Sequence, residues 1–488
     1  MIRLTSLDTV PGAVQRPGFT PANHKAGIVH IGLGAFHKAH QAVYTDDALA
    51  ASGGDWRIIG VSLRSPAPAE ELTPQNGLYT VLERSASGTR ARVIGAMAAA
   101  YCLTADRDAV LTALTAPETR IVSITVTEKG YGLDRATGGI DRTHPAIAAD
   151  LANPEAPLGL AGLLVWALAR RRAAGIAPFT VLCCDNLPDN GPLVRGLLVD
   201  FARHTAPDLA EFIAQDVAFP ATMVDRITPA RGAETAALVA DLTGHDDKAA
   251  IECEAFRQWV IEDHFPTGRP TWEAGGAIFV QNVSPYEDMK LRMLNGTHSM
   301  LAYSGFLAGR KYVRDVMADP ALAALVRRHL AAAAATLDPL EGVDFSQYAR
   351  DLEERFRNPH LGHETYQIAM DGTEKMPQRI FAPAVIAQDR GQSLEAFAFA
   401  TAAWLRYTLG ETDDGQPYAL RDPREAELRF DGSRADAKAV LDHVFALPGL
   451  MPEALRDCPN WRDAVQRHLA WLLDRGVAVA IQDLAVSR

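Results

Sequence analysis

Cysteine is scarce in this chain, five in 488 residues, an odd number with no repeated spacing. That argues against a disulfide framework. Neither a CxxC nor a Cys/His array at zinc spacing occurs, so no structural zinc site and no metal are expected. Long apolar runs are missing too. The first thirty residues hold none long enough for a signal peptide, and nothing later reaches membrane-span length, which gives the expectation of a cytoplasmic protein. Positive charge is in deficit, with 48 Lys plus Arg against 60 Asp plus Glu and a formal charge of −12. With no basic block along the chain, nucleic acid and anionic membrane are poor partners. Internal repeats and low-complexity tracts are also absent.

What is present is the balance of a soluble globular protein, 48% hydrophobic and 22% charged. The length exceeds one ordinary core and implies two domains or three. The N-terminal half alternates short β-rich runs, GIVHIGLG, WRIIGVSL, TRIVSITVTE and PFTVLCCDN, with longer helical patterns. Strands separated by helices predict a mostly parallel sheet covered on both faces, with ligands beyond the carboxyl ends of the strands. Cys183 and Cys184 lie inside the last run and read as buried packing.

The C-terminal part changes character. DPALAALVRRHLAAAAATL starts with Asp319 as an N-cap and Pro320 at the first helical position. SLEAFAFATAAWLRYTL and WRDAVQRHLAWLLDRG carry the same helical signature, the latter stopping at Gly476. PLEGVDFSQY and GETDDGQPYALRDPRE read as loops. Strand-like runs are scarce after about residue 285, so the boundary falls near Ser284 and Pro285. The expected fold class is α/β, with a Rossmann-type dinucleotide-binding domain over 1–284 and a mainly helical substrate and catalytic domain over 285–488. The segment after about residue 430 is helical by pattern.

After the first strand, GLGAFHKAHQ puts Gly32 and Gly34 at a turn that opens a helix. Two glycines there let the backbone N–H groups approach a pyrophosphate. A bare GxG also suits any tight turn, but its place after the first strand of an alternating pattern favours nucleotide binding. His37 takes the position of the usual third glycine. With no carboxylate or cysteine partner nearby, His37 and His40 are expected on a helix surface or beside phosphates. The second strand ends VSLRSPAPAEEL, with Arg64 and Ser65 where an NAD site usually has an acid. That leaves room for a 2′-phosphate and so for NADP.

The stretch YEDMKLRMLNGTHSM sets Lys290, Asn295 and His298 among apolar residues. On an α-helix, at about 100° per residue, the three spread over an arc of about 140°. That is wide for a packing stripe but suits side chains lining a pocket. The bland alternative is a solvated lysine, a helix-interior asparagine and a core histidine. Two features favour chemistry. Asp185 and Asn186 reach the carboxyl edge of the sheet, and Glu287 stands three residues before Lys290, within reach of a proton exchange. A metal-free alcohol dehydrogenase needs a base, donors for the developing alkoxide and an orienting group. YEDMK also spells the YxxxK of short-chain dehydrogenases, here at the opening of the helical domain and so a coincidence.

GIVHIGLGAFHKAHQAVYTDD, IVSITVTEKGY, FTVLCCDNLPDNG, FPATMVDRITPA, EAFRQWVIEDHFPTGRP and MKLRMLNGTHSMLAY resemble the polyol-specific long-chain dehydrogenases, the mannitol dehydrogenase family, over about residues 26 to 425. The resemblance implies a Rossmann-type domain and a helical domain with the active site between them, NAD as cofactor and no metal. It implies Lys290 as general base in oxidation and acid in reduction, Asn186 and Asn295 as amides on the reacting oxygen, His298 as its positioning group and Glu287 as a proton relay. Cofactor contacts would come from Gly32, Gly34, Ala35, Phe36, Arg64, Thr127, Glu128 and Asn186. Asp225 and Lys375 would line the substrate pocket.

Within the family, IAMDGTEKMPQRI and KLRMLNGTHSMLAYSGFLAG look closer to the uronate reductases than to the mannitol enzymes, which carry an arginine about where Gln367 stands. A uronate carboxylate needs a cation, and Lys375 with Arg379 could supply it. The expected activity is interconversion of D-fructuronate and D-mannonate with NAD(H). The alternatives are a mannitol or arabinitol 2-dehydrogenase, and a catalytically silent nucleotide-sensing protein, which would have no use for an intact Lys, Asn and His set. The expected partner is a small uronate or polyol, and a monomer is compatible with the sequence.

Overall fold

In the computed structural model, which describes residues 2–134 and 137–486, the chain divides into two units, Met1–Ser284 and Pro285–Arg488. The first is built on β1 (Ala26–Ile31), β2 (Arg57–Ser62), β3 (Met97–Cys102), β4 (Ile121–Ile124) and β5 (Thr180–Cys183). These pair in parallel in the order β5-β4-β1-β2-β3. Strands buried on both faces read as nearly continuous apolar runs, and these do. Val29, Ile31, Val122, Val181 and Cys183 pack into one core cluster, while Ile28, Ile121, Leu182 and Cys184 pack into the other. The strand order reverses beside β1, which leaves a crevice at the carboxyl ends of β1 and β4.

Four of the five strands coincide with the β-rich runs of the sequence. The fifth, β3, does not, because alanine is a poor strand former and MAAAYC carries no β signal. Two three-stranded sheets and two short two-stranded pairs accompany the parallel sheet. Tyr79–Ser85 lies between Gly88–Ile94 and Ile251–Glu254, and Gln258–Glu262 lies between Thr222–Asp225 and Ile278–Val280. After β1 the chain enters α1 (Ala35–Ala39) and α2 (Gln41–Ser52).

The second unit is helical. Asp319 caps the helix Pro320–Ala335 by accepting from the N–H groups of Ala321 and Leu322, as its position before Pro320 predicts. Glu395–Thr408 and Pro459–Arg475 form where the apolar periodicity places them, and Gly476 ends the latter at φ +76°. PLEGVDFSQY is loop only at its start. Asp344 caps a helix over Phe345–Phe356, so FSQY belongs to its first turn.

Two segments of this unit are π-helical, Lys290–Asn295 and Pro377–Phe381. The first runs directly into α3 (Gly296–Leu307). All five cysteines are free, four of them buried and Cys458 partly exposed. No helix among the described residues is long and apolar enough to cross a membrane.

Candidate active site

The carboxyl edge of the parallel sheet gathers the residues expected to hold a nucleotide. Gly32 follows β1 at φ +100°, and a Cβ there would lie 1.9 Å from the Thr125 carbonyl oxygen, so the fold itself demands this glycine. Gly34 differs, because an added Cβ would meet nothing closer than the Gly32 carbonyl at 3.7 Å. Its bareness is not a packing requirement. It stands before α1, whose first turn has no side-chain cap, and Ala35 and Phe36 follow half-buried. Arg64 lies exposed beyond β2, and Thr127 and Glu128 lie exposed beyond β4.

Beyond β5, Asn186 is exposed while Asp185 is tied inward. Asp185 accepts from the Val126 N–H at 2.9 Å and from the Tyr131 hydroxyl, which links the end of β5 to the loop after β4. Burial pushes its pKa up to about 6 even though both bonds favour the carboxylate. Asn190 fixes the other side. Its amide donates to the carbonyls of Asp185 and Thr222 and accepts from the Thr222 N–H at 2.9 Å. Thr222–Asp225 is thereby stitched to the end of β5, and Asp225 is buried at its close.

The expectation of surface or phosphate-side histidines at His37 and His40 is overturned, since both are fully buried. The His37 ring stacks on His30 with centroids 3.4 Å apart and planes 14° from parallel. His30 in turn is held by Ser123 Oγ and Thr125 Oγ1, each at 2.9 Å, and Ser123 donates to Gln41 Oε1. Burial drives the pKa of both imidazoles down, His30 to about 3. They are neutral packing beneath the glycine turn, whose Gly32 carbonyl accepts from Thr125 Oγ1 at 3.0 Å.

In the second unit, the 140° arc expected of an α-helix is also corrected. Over Lys290–Asn295 the backbone closes i→i+5 hydrogen bonds, as in that from Gly296 N–H to the Leu291 carbonyl. Residues five apart then lie closer in angle around the axis than on an α-helix, which turns Asn295 toward the face of Lys290. His298, three residues further in α3, follows on that face. Lys290 and His298 are buried at 8% exposure, Asn295 and Glu287 half-buried.

His298 packs against Phe356, centroids 4.7 Å apart, and His363 meets it edge-on at 5.5 Å. Burial, and then the charges of His363, Arg355 and Arg379, hold its pKa well below the usual value. It is a neutral imidazole, and its Nε2 lacks a hydrogen-bond partner among the described residues.

The remaining candidates separate. Lys375 Nζ donates to the Met370 carbonyl at 2.6 Å and the Ile368 carbonyl at 3.3 Å, with Asp371 at 3.7 Å, so it binds its own turn together. Arg379 donates to Ser299 Oγ at 3.3 Å and reaches the Asn295 carbonyl at 3.5 Å. Gln367 is exposed on the short helix Thr365–Ile368.

Two family models cover almost the whole chain, the mannitol dehydrogenase Rossmann domain over residues 26–274 and the mannitol dehydrogenase C-terminal domain over residues 282–470. The chain belongs to the mannitol dehydrogenase family. It is 41% identical to the D-mannonate oxidoreductase of Escherichia coli (strain K12), over 96% of this chain and 98% of that one. It is also 41% identical to the mannitol 2-dehydrogenase of Cereibacter sphaeroides, over 87% and 89%. The solved ternary complex of Pseudomonas fluorescens mannitol 2-dehydrogenase with NAD and D-mannitol matches with a TM-score of 0.83 at 36% identity, covering all of both chains.

As a mannitol dehydrogenase family member, the chain is an oxidoreductase with a Rossmann-type domain followed by a helical one. Its supporting residues escaped the sequence. His30, Ser123 and Asn190 act by burial and by bonds to distant segments, for which spacing carries no signal. His363, seven residues beyond Phe356, was equally silent.

Proposed function

We propose that this chain interconverts D-fructuronate and D-mannonate with NAD(H), with Lys290 moving the proton. The observation that carries this is the π-helical turn, which sets Lys290, Asn295 and His298 on one face of one continuous helix. The dinucleotide fits the first unit at Gly34, where bare backbone is left open that packing does not require. Gly32, Gly34, Ala35, Phe36, Arg64, Thr127, Glu128 and Asn186 would hold it. NAD(H) supplies or accepts the hydride when bound.

The chain's own residues handle the oxygen and its proton. Lys290 Nζ gives a proton to the carbonyl oxygen in reduction and takes the hydroxyl proton in oxidation. Asn295 donates an amide hydrogen bond to the charge that develops there. His298, neutral and with Nε2 bare, orients the oxygen by a hydrogen bond without competing for the proton. Glu287, one helical turn before Lys290, exchanges the proton onward, and Asp225 and Gln367 are assigned to the substrate.

Support for a sugar acid comes from the D-mannonate oxidoreductase relative, which matches this chain nearly end to end. A neutral polyol is the second reading, favoured by the mannitol 2-dehydrogenase at equal identity. NADH oxidation with D-fructuronate and D-fructose at equal concentration separates the two, and repeating it with NADPH tests the exposed Arg64. Lys290→Ala is expected to lower turnover by about 10²–10⁴-fold while leaving NADH affinity nearly unchanged. Retained turnover would remove Lys290 from the mechanism.

A further inference from the structure

A guanidinium taken out of water needs a counter-charge or a full set of hydrogen-bond acceptors. Arg379 has neither. It is half-buried on the second π-helical turn, burial pulls its pKa down, and among the described residues no carboxylate pairs with it. Among the described residues its Nε has no partner, and its Nη1 makes only the 3.3 Å bond to Ser299 and the 3.5 Å contact with the Asn295 carbonyl. The rest of its donor fork is unspent.

The fold brings this charge to the reacting helix deliberately close. A Cβ on Gly296 would stand 2.8 Å from the Arg379 carbonyl oxygen, so glycine at 296 lets the two π-helical turns approach. Arg379 is therefore anchored on the residues flanking His298 in sequence, Asn295 and Ser299. His363 also packs against His298, half-buried, its backbone carbonyl pinned by the Val313 N–H at 3.0 Å. Lys375, a further cation of this region in addition to Arg355, already spends its ammonium on two carbonyls and Asp371.

We propose that Arg379 and His363 form the subsite that takes the carboxylate of a sugar-acid substrate, and that Lys375 has no part in it. A planar guanidinium presents paired N–H donors that match a carboxylate, and a bound anion completes the bonds that Arg379 lacks. His363, edge-on to the same His298 ring, adds a second donor. A neutral ketose leaves the guanidinium uncompensated, so the subsite selects acid over polyol. This rests on the sugar-acid reading above.

The test is steady-state kinetics with D-fructuronate and D-fructose for the wild type, Arg379→Gln, Arg379→Lys and His363→Asn. In Arg379→Gln the ratio of kcat/KM for fructuronate to that for fructose is expected to fall at least tenfold, mainly through the KM of fructuronate. Arg379→Lys should lie between it and the wild type, and His363→Asn should lower the same ratio less. If Arg379→Gln does not fold, His363→Asn carries the test alone. An equal loss on both substrates would make Arg379 a pin between the two π-helical turns and overturn the subsite, with the uronate reading intact. A wild type that reduces fructose but not fructuronate would overturn both.

Discussion

Asp185 illustrates, at the residue scale, how a group outside the reacting set fixes the geometry around it. Its carboxylate holds the loop after β4 against the end of β5, and burial raises its pKa from 3.8 to about 6. A raised folded-state value means that the native protein binds this proton more tightly than the unfolded chain does. The associated stability is complete below about pH 4 and is lost as pH rises through about 6. Asp185→Asn keeps an oxygen acceptor for Val126 and Tyr131 and removes the penalty of a buried charge. It should be more stable than wild type by about 1–2 kcal/mol near pH 8, with the gap closing near pH 4. Denaturant unfolding at the two pH values measures it, and a gap independent of pH would refute it. Lys290, Asn295 and His298 could be singled out in the sequence because polar residues stood out in an apolar run, and Asn186 because it follows a strand at the carboxyl edge of the sheet. The His30 and His37 stack could not, since two histidines within an α/β turn look the same whether buried or exposed.

At the scale of elements, the π-helical turns matter most and were least legible. KLRMLN has ordinary α-helix formers, and nothing in its composition marks a widened turn. What signals it is Gly296, needed where another backbone passes, and that need exists only in three dimensions. Gly296→Ala places a Cβ against the Arg379 carbonyl, a backbone atom that cannot swing aside. The expected cost is about 1–3 kcal/mol of stability together with a fall in turnover, read by thermal unfolding and NADH oxidation. Asp319→Ala is the contrast. It removes a helix cap distant in sequence from the reacting group and should cost about 1 kcal/mol while turnover per folded molecule stays the same. That helix was legible to the residue, because a cap followed by proline is a local signal. Strand β3 was not, because its alanines are held in the sheet by neighbours and not by their own preference.

For the whole molecule, the division at Ser284 and Pro285 means two separately packed units in one chain. Unfolding is then expected to depart from a single two-state transition. NADH at about one hundred times its Kd should stabilise the unit that binds it by about 2.7 kcal/mol. Calorimetry with and without NADH would show one transition moving, and a uniform shift of a single peak would contradict independent units. The thiols offer a way to see which unit is which. Four are buried in the first unit, and only Cys458, just before the helix Pro459–Arg475, is partly open to solvent. The native chain therefore comes with a single addressable handle. A maleimide fluorophore placed under native conditions would label the helical unit alone, and its signal during melting would report that unit's unfolding without any engineered cysteine.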